Sequence, residues 1–396
     1  MRSPEARDPV VILACPGLDH AVRGFETFGR ECFEALRGRP GIAIELVKGS
    51  GRRRALERTV ATLQRDSRLA RVLGGLLHRE AFVIEHLTFS LALIPLVARK
   101  RPDVVYFSEW HVGRVLALWR QLTREGFKLV MCNGSFAAGP YPHLDHVQQL
   151  FPAALENVTA RGVPPDNQSV LPLGVAMAPA WQPATPAEIS HLRRRLGLPM
   201  QRRVIVSVGA LNAQKRHEYV IGELASLPEP RPFLLMVGQP ERETPAIAAR
   251  AAQLLGEDGH RILTVSRDEM PDIYRASDLF VLASLQESFG RALIEALSHG
   301  LPCLTHDYAA MRWIMGDHGV TGNLGEPHGL VRLLAGVTEH DYSAEARQAR
   351  HASVYERFSW DRLAPRYVDL LRACAFGEGS RRSRGIDVHP RSAESG

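Results

Sequence analysis

Lysine, paired cysteines and long apolar runs are scarce in this sequence of 396 residues. The five cysteines are odd in number and include no CxxC pair, so we interpret them as reduced thiols rather than a disulfide framework. The most apolar stretch, residues 87–98, is only twelve residues long and contains Pro95. Because about 20 residues are needed to cross a bilayer, no transmembrane helix is expected.

Arginine supplies almost all of the positive charge, since only four of the 49 basic residues are lysines. These lysines are Lys48, Lys100, Lys128 and Lys215. The net charge of +6 leaves an anionic partner open, whether a nucleotide, a nucleic acid or a membrane surface. The first ten residues, MRSPEARDPV, contain no apolar core of a signal peptide, which predicts a cytoplasmic protein.

Short apolar strands alternate with helical patterns along the chain, which predicts an α/β fold with doubly wound, Rossmann-like sheets. In the first half, strands are predicted at 10–15, 42–47, 104–107 and 128–132. A stretch rich in proline and turns, 164–199, separates this half from a second one of the same kind. In the second half, strands are predicted at 204–209, 233–238, 262–265, 279–283 and 302–305.

Four regions follow from this pattern. Residues 1–178 are predicted to form an N-terminal domain, and residues 179–358 a C-terminal domain of similar size. A periodic helix is expected at 359–376. The tail, 377–396, has too little apolar content to fold and is predicted to be disordered.

Ligands of such sheets bind beyond the carboxyl ends of the strands, where loops and helix N-termini offer backbone N–H groups to anions. Three loops meet this description, at 16–24, at 210–216 with Lys215, and at 284–291. In the third loop Arg291 falls in the first helical turn, where a cation opposes the helix dipole. A bound anion such as phosphate would relieve that conflict.

Glu287 and Glu295 stand eight residues apart around the third loop. Eight helical residues rise about 12 Å, far more than the roughly 5 to 5.5 Å between the carboxylates of a retaining glycosidase. We therefore expect the two glutamates to hold two ends of one elongated ligand, and a nucleotide-sugar has that shape. The alternative is structural, with Gly290 as a turn that starts a helix, Lys215 as a solvated charge and the glutamate spacing as chance.

The segment YRASDLFVLASLQESFGRALIEALSHGLPCLT resembles the signature of the retaining glycosyltransferases of the GT-B fold, glycosyltransferase family 4, with Glu287 and Glu295 as its E-x7-E element. The pieces VGALNAQKRHEYVI, LPLGV, DHGVTGNL and FSW are similar to further parts of that family. The resemblance covers most of 165–372 and is loose in the N-terminal half. It implies two facing Rossmann-like domains, with the donor in the second, a varied acceptor in the first and the C-terminal helix crossing back to the first.

The resemblance also implies roles for particular residues. Glu287 would contact the donor sugar, and Glu295 would bond the ribose hydroxyls. Lys215 would bind the diphosphate and offset the charge that builds on the leaving group. The further donor-binding residues that the resemblance implies are Gly24, Arg267, Ser288, Phe289, Gly290 and Arg291.

Two positions depart from the family pattern. Ala210 stands where members usually carry an arginine, and Arg267 or Arg291 is expected to substitute for it. Asn133 stands where many members carry a histidine near the reacting centre, and an amide cannot accept a proton as histidine does. The leaving phosphate is thought to take the acceptor's proton in retaining enzymes of this fold, so Asn133 is compatible with a catalytic role. No metal or other cofactor is implied, because the nucleotide-sugar is a co-substrate.

The predicted function is therefore retaining, metal-independent transfer of a sugar from a UDP-sugar, rather than a GDP-sugar, to a hydroxyl of a small-molecule, glycan or lipid acceptor. The arginine-rich segment 52–79, with leucines at near-helical spacing, either lies on the inner face of the cell membrane or forms a solvated helix over the N-terminal core. A nucleotide-sugar epimerase of the same fold is the alternative. A nucleic-acid partner is not expected, because no nucleic-acid-binding module is recognisable.

Overall fold

The computed structural model describes residues 7–21, 24–134 and 139–377. Its described residues form two compact units. Unit 1 runs up to Pro172 and resumes at Ala364, and unit 2 is Leu173–Leu363. Of the predicted tail, only Gly377 lies among the described residues.

Unit 1 is built on a sheet of seven parallel strands in the order β3-β2-β1-β4-β5-β6-β7. The strands are β1 (Val10–Cys15), β2 (Ala43–Lys48), β3 (Glu57–Thr59), β4 (Val104–Phe107), β5 (Lys128–Cys132), β6 (His146–Gln149) and β7 (Gln168–Val170). The central strands β1, β4 and β5 are almost entirely buried apolar residues, as expected of a parallel sheet covered on both faces. Their positions match the predicted strands.

Six helices accompany this sheet. They are α1 (Gly24–Leu36), α2 (Arg68–Leu76), α3 (Ala81–Lys100), α4 (Trp110–Thr123), α5 (Pro152–Ala160) and, at the end of the chain, α14 (Trp360–Phe376). Helix α14 starts in unit 2 and belongs to unit 1 from Ala364 onwards. Its Tyr367 hydroxyl donates a hydrogen bond to the carbonyl of Pro172, 2.8 Å away, and so fixes the returning helix to unit 1.

The segment 52–79 does not form the single helix that its leucine and arginine spacing predicts. It contains strand β3, a loop and the nine-residue helix α2. Several arginines serve the fold instead of a membrane, since Arg58 pairs with Glu45 and Arg65 Nε lies 2.5 Å from Glu85 Oε2. The pattern misled because near-helical spacing persists across a strand and a loop that tertiary ion pairs hold in place.

The absence of a transmembrane helix stays a prediction, but the twelve-residue apolar stretch on which it rests belongs to a longer helix, α3 (Ala81–Lys100). Among the described residues, α3 alone is long and apolar enough to cross a membrane by length and composition. Pro95 lies within the helix and does not end it. Half of the apolar stretch is buried inside the unit, where Phe89, Leu93 and Val97 join the core around β4, as in a core helix of a globular domain.

Unit 2 repeats the architecture with six parallel strands in the order β10-β9-β8-β11-β12-β13. The strands are β8 (Val204–Val208), β9 (Phe233–Val237), β10 (His260–Leu263), β11 (Leu279–Leu282), β12 (Cys303–His306) and β13 (Val320–Gly322). The helices are α6 (Pro186–Leu196), α7 (His217–Ala225), α8 (Thr244–Leu255), α9 (Met270–Ala276), α10 (Arg291–Ser298), α11 (Ala309–Met315), α12 (Gly329–Ala335) and α13 (Ala344–Phe358). The predicted α/β class with two Rossmann-like domains is confirmed.

Candidate active site

The sheet of unit 2 changes direction between β8 and β11. From β8 the chain builds outwards to β9 and β10, and then returns to place β11 on the other side of β8. In open α/β sheets, ligands bind at the carboxyl ends of the two strands that flank such a point. The loops that follow β8 and β11 are therefore the expected ligand site, and they contain most of the predicted donor residues.

The loop after β8 brings Lys215 back towards β11. The backbone passes so close to the next strand that a Cβ on Gly238 would lie 1.8 Å from the carbonyl oxygen of Gly209, so only glycine fits there. A short 3-10 turn, Ala213–Lys215, follows, and Asn212 caps it by accepting a hydrogen bond from the Lys215 N–H at 3.2 Å. The Lys215 ammonium is then 2.5 Å from Oε1 of Glu287.

Glu287 lies in the loop after β11, with only 7% of its surface exposed. A buried carboxylate is costly unless it is paired, and Lys215 supplies the opposite charge. The structure thus brings together two of the three residues that were predicted to be catalytic, although they are 72 positions apart in the chain.

Helix α10 begins just beyond Glu287. Gly290 caps it with φ of +79°, a left-handed conformation that favours glycine, and a Cβ there would lie 2.8 Å from Cε of Met311. Of the nine residues from Glu287 to Glu295, only the five from Arg291 onwards are helical, so four steps of helix rise account for about 6 Å of their separation rather than 12 Å. The distance between the two glutamates, and so the length of a ligand that reaches both, is therefore set by the loop 287–290 as well as by the helix.

Three charged residues meet along the first turn of α10. Arg291 donates to the carbonyl of Gly174 at 2.8 Å and lies 3.7 Å from Oε1 of Glu295, so the protein itself eases part of the conflict with the helix dipole. Partial burial lowers the pKa of Arg267, and the nearby Arg291 charge lowers it further. Two guanidinium groups and one carboxylate are therefore clustered at the start of α10.

Tyr274 orients the carboxylate of Glu295. This buried tyrosine donates its hydroxyl to Oε2 of Glu295 at 2.9 Å, and burial together with the Glu295 charge raises its pKa well above the usual value. The hydroxyl is therefore protonated and stays a donor at neutral pH. No sequence motif pointed to Tyr274 as a residue that orients Glu295.

The remaining loop residues differ in what they present. Phe289 is buried, and its ring packs edge-to-face on Phe358 with centroids 6.0 Å apart, so only its backbone is suited to a ligand. Ser288 is half-buried. The hydroxyl of Ser284 is buried and has no hydrogen-bond partner among the described residues, which marks a polar atom at this loop that the sequence analysis missed.

Gly24 and Asn133 belong to unit 1. Gly24 is exposed and is the first residue of α1. Asn133 is buried directly after β5, and its side-chain amide donates to the Tyr141 hydroxyl and to Oε1 of Gln149, both at 2.9 Å. Because both N–H groups are used, a substrate hydroxyl would have to meet the carbonyl oxygen of this side chain.

Three further titratable groups meet at the carboxyl end of β4, which is next to β1 at the switch point of the unit 1 sheet. Nδ1 of His86 lies 3.6 Å from Oε2 of Glu109, and the rings of His86 and His111 are 5.8 Å apart. Both ring nitrogens of the buried His86 are without a hydrogen-bond partner in the described part of the chain. Burial lowers the pKa of His86 to about 4, so the ring is neutral at pH 7.

These residues are on α3 and at the start of α4, and no spacing signal in the sequence connects them. Among residues 7–21, 24–134 and 139–377, the structure has no group of three or more His, Cys, Asp or Glu arranged to hold a metal ion.

The fold is that of solved glycosyltransferases with two Rossmann-like domains. The chain is similar to the sucrose-phosphate synthase of Thermosynechococcus elongatus, with a TM-score of 0.73 and 16% identity over 92% of this chain and 98% of that one. It is equally similar to the Anabaena protein HepE in complex with UDP-glucose, with a TM-score of 0.73 and 16% identity over 92% of this chain and all of that one. The expected GT-B fold is thereby confirmed.

Residues 188–349, all within unit 2, match the family model described as glycosyl transferases group 1. Among curated relatives, D-inositol 3-phosphate glycosyltransferase of Thermobispora bispora is 31% identical over 55% of this chain and 53% of its own length. The protein of the same name from Mycobacterium tuberculosis is 30% identical over 51% of this chain and 44% of its own length. The chain thus spans about half the length of the curated relatives it matches.

Proposed function

We propose that this protein is a glycosyltransferase that moves a sugar from a UDP-sugar to a hydroxyl group of a small molecule. The observation that carries the proposal is the contact between Lys215 and Glu287 at the switch point of a glycosyl transferases group 1 domain. The UDP-glucose complex of HepE and the names of the curated relatives support the same donor class and a small-molecule acceptor.

Lys215 is suited to the diphosphate of the donor. An ammonium group has three N–H donors, and Glu287 accepts one of them, so the others remain for phosphate oxygens. A fixed positive charge at the leaving group stabilises the negative charge that develops there, an effect that mutagenesis of comparable donors values at about 10²- to 10³-fold in rate. Glu287 fixes the direction of Lys215 and accepts hydrogen bonds from hydroxyls of the transferred sugar.

Arg267 and Arg291 supply the positive charge of the arginine that family members usually carry at the position of Ala210. Both guanidinium groups are close to Glu295, which we assign to the ribose hydroxyls, and the N-terminus of α10 adds backbone N–H groups at Gly290 and Arg291. Three cations then face one diphosphate. We propose on this basis that charge neutralisation comes from side chains without a metal ion, and that the leaving phosphate takes the acceptor's proton with retention at the sugar carbon.

The acceptor hydroxyl is assigned to unit 1. Asn133 lies buried directly after β5, where Tyr141 and Gln149 hold its side-chain amide. His86 and Glu109 add a neutral imidazole and a carboxylate at the carboxyl end of β4. Such groups can hydrogen-bond the hydroxyls of a polyol. The transfer assay described below distinguishes a small polyol from a glycan or a lipid-linked sugar as the acceptor.

A membrane-bound acceptor has one observation in its favour. Helix α2 exposes Leu69, Val72 and Leu76, of which Leu76 is 72% exposed, and Leu77 directly after the helix is exposed as well. The helix also carries exposed Arg68 and Arg71. An apolar face with neighbouring arginines suits peripheral contact with anionic lipid on the inner face of the cell membrane. Sedimentation with vesicles of phosphatidylglycerol should carry the protein down, and Leu76→Glu should release it. Failure of the wild-type protein to sediment would leave a cytoplasmic enzyme without membrane contact.

The donor is tested first by thermal shift of the purified chain with UDP, GDP, ADP and TDP, each with and without EDTA. We expect a rise with UDP that EDTA does not change, since ligands that bind only the folded state raise its stability. Each nucleotide is then offered as its sugar conjugate together with inositol phosphates, free sugars or lipid extracts, and product is followed by mass spectrometry. A larger shift with GDP, or loss of the shift in EDTA, would contradict the donor and the metal-independence assignments respectively.

Glu287→Gln is the variant that tests the site. The change removes the charge but keeps the shape, and we expect transfer to fall by about 10²- to 10³-fold while the chain stays folded. Glu339→Gln is the matched control, because Glu339 also pairs with a cation of unit 2, Arg203, but its side chain is exposed. Equal activity of both variants and the wild-type enzyme would refute the site, and release of a free sugar epimer without acceptor would indicate an epimerase instead.

A further inference from the structure

Unit 2 contains a cavity of about 430 Å³ that the proposed chemistry does not use. Its walls come from the segment 176–184, from α9, from the C-terminal end of α10 and from the first half of α13. A volume of this size accommodates a small metabolite, since ligand pockets in proteins are typically about 300 to 1,000 Å³.

The cavity lies at the opposite end of α10 from the proposed donor site. Ser277 and Asp278, which line it, directly precede β11, whereas Glu287 and Gly290 follow the same strand. Ser298 and His299, also in its lining, end α10, whereas Arg291 begins that helix. A ligand in the cavity is therefore at the amino end of the strand and a nucleotide is at its carboxyl end, so the two sites are separate.

His351 supplies a buried hydrogen-bonding atom that has no partner. It lines the cavity and is only 4% exposed. Nδ1 donates to the carbonyl of Ser298 at 2.6 Å, so in the neutral ring Nε2 is an acceptor. That Nε2 atom is buried and has no hydrogen-bond partner among the described residues. Because a buried polar atom without a partner is costly, Nε2 points to a ligand that carries a hydroxyl donor.

Two arginines give the cavity its charge. Nε of Arg347 donates to the carbonyl of Tyr342 at 3.3 Å, and its terminal nitrogens have no hydrogen-bond partner in the described part of the chain. Arg275 is an exposed lining residue and likewise lacks a side-chain ion pair there. The one carboxylate of the lining, Asp278, already pairs with Arg193 at 2.6 Å, so the lining carries an excess of positive charge.

Aromatic rings complete the walls. The ring of Tyr274 stacks on His299 with centroids 5.1 Å apart, and Nε1 of Trp181 donates to the carbonyl of His299 at 3.3 Å. Flat apolar surfaces next to a few polar groups are the usual lining of a metabolite pocket. They suit the C–H faces of a sugar or cyclitol ring.

From this arrangement we propose that the cavity is a binding site for a phosphorylated polyol, with its phosphate on Arg347 and Arg275 and a hydroxyl on Nε2 of His351. The site is an accessory one, distinct from both donor and acceptor, and it does not depend on the proposed transferase activity. The anionic group and the hydroxyls are both required, because the terminal nitrogens of Arg347 and Nε2 of His351 have no hydrogen-bond partner among the described residues.

Isothermal titration of the full chain with glucose 6-phosphate tests this site, with inorganic phosphate and glucose as partial ligands. We expect glucose 6-phosphate to bind at least ten-fold more tightly than either partial ligand. Arg347→Gln should weaken that binding at least ten-fold, and Arg347→Lys should restore part of it because the charge returns. Arg250→Gln, on α8 and outside the cavity, is the control and should change nothing.

Lys215→Met separates this site from the nucleotide site. It should leave glucose 6-phosphate binding unchanged while it weakens UDP binding, measured on the same samples. Binding that is lost in Lys215→Met but kept in Arg347→Gln would place the sugar phosphate at the donor site and overturn the proposal. Absence of binding to the wild-type chain would overturn it as well. Failure of UDP alone would instead count against the proposed function and leave the cavity assignment standing.

Discussion

The two units share one architecture but are stabilised at their strands in different ways. In unit 2, strands β8, β9 and β11 consist almost wholly of buried apolar residues, and the Lys215 and Glu287 pair lies in the loops beyond β8 and β11. In unit 1, the strands β2, β3, β6 and β7 bury polar and charged side chains inside the sheet. The apolar sheet leaves its polar groups available to a ligand, whereas unit 1 uses many of them on itself.

A buried charge network in unit 1 illustrates this use. Lys48, at the end of β2, is fully buried with Nζ 2.5 Å from Oε2 of Glu57 and in contact with Asp19. Arg30 of α1 pairs with the same two carboxylates. Although burial raises the pKa of Glu57, its hydrogen bonds to Arg30 and Lys48 hold that pKa below its usual value. The loop after β1 and strand β3 are thus fastened by charge rather than by apolar contact.

The largest effect on the comparison is expected from Lys48→Met. Removing one partner leaves buried carboxylates with less compensation, which typically costs about 3 to 5 kcal/mol of unfolding free energy. Lys100→Met is the matched control, because Lys100 is exposed and its partner Glu45, 3.2 Å away, keeps Arg58 as a second partner; pairs with an exposed member contribute about 0 to 1 kcal/mol. Hydrogen exchange of β1 and β2 amides in increasing urea measures the difference. Equal losses in both variants would show that the network contributes no more than a surface pair.

The same difference decides what could be predicted from sequence. The bounds of strands β1, β4, β5, β8 and β11 agree with the predicted ones within about one residue, because a buried apolar run is recognisable in the sequence. No strand is predicted from local sequence for HVQQ at β6, whose glutamines are nevertheless buried. Gln148 accepts from the Tyr106 hydroxyl at 2.6 Å and donates to the carbonyl of Leu171 at 2.7 Å. Partners so distant in sequence cannot be seen in a local pattern.

The residues of the candidate site also differ between the two units in how far they could be predicted. Lys215, Glu287 and Glu295 were singled out because loops after apolar strands carry a recognisable spacing of residues, but their contacts were not predictable. In unit 1, His86 and Glu109 were missed, since they come from α3 and the loop before α4 and form no motif. Residues around His86 show no repeated spacing in the sequence, so only the geometry of the folded chain brings them to notice.

Acid should weaken unit 1 through its buried histidines. Burial lowers the pKa of His86 and His146 in unit 1, and of His217 in unit 2, each from 6.5 to about 4. Between pH 6.5 and 4 the unfolded chain binds a proton that the native ring does not, so stability falls as the pH falls. Each such histidine accounts for about 3 kcal/mol.

His86→Phe should therefore reduce the acid loss of unit 1 by about 3 kcal/mol, because a neutral ring remains where an ionisable one was. The measurement is urea unfolding at a series of pH values from 7 to 4. His191→Phe, at an exposed position on α6, is the control and should leave the acid loss of unit 1 unchanged. The same loss in His86→Phe as in wild type would assign the acid sensitivity to other groups.

A smaller effect is expected at the glycine that starts α10. Gly290→Ala places a Cβ in a left-handed conformation and 2.8 Å from Met311, and we expect a loss of about 1 to 2 kcal/mol together with weaker UDP binding. Gly222→Ala, in the interior of α7 with open space around its Cβ, should instead stabilise unit 2 by about 0.5 to 1 kcal/mol. Urea unfolding and nucleotide titration distinguish the two. A neutral Gly290→Ala would mean that the loop adapts and that its conformation is not what orders the site.

The smallest effect tests whether unit 2 also commits a buried polar group to its site. Tyr274→Phe removes the hydroxyl that donates to Glu295 at 2.9 Å, and the lost hydrogen bond is worth about 0.5 to 1.5 kcal/mol, or roughly 2- to 12-fold in UDP affinity. Tyr219→Phe is the control, since its hydroxyl donates to the carbonyl of Glu326 at 3.2 Å and accepts from the N–H of Leu330 at 3.0 Å. Both variants should lose stability to a similar degree, but only Tyr274→Phe should weaken UDP binding. Equal UDP affinity in the Tyr274→Phe and Tyr219→Phe variants would mean that Glu295 does not need the hydrogen bond from Tyr274. The buried tyrosine hydroxyls of unit 2 would then serve the fold alone.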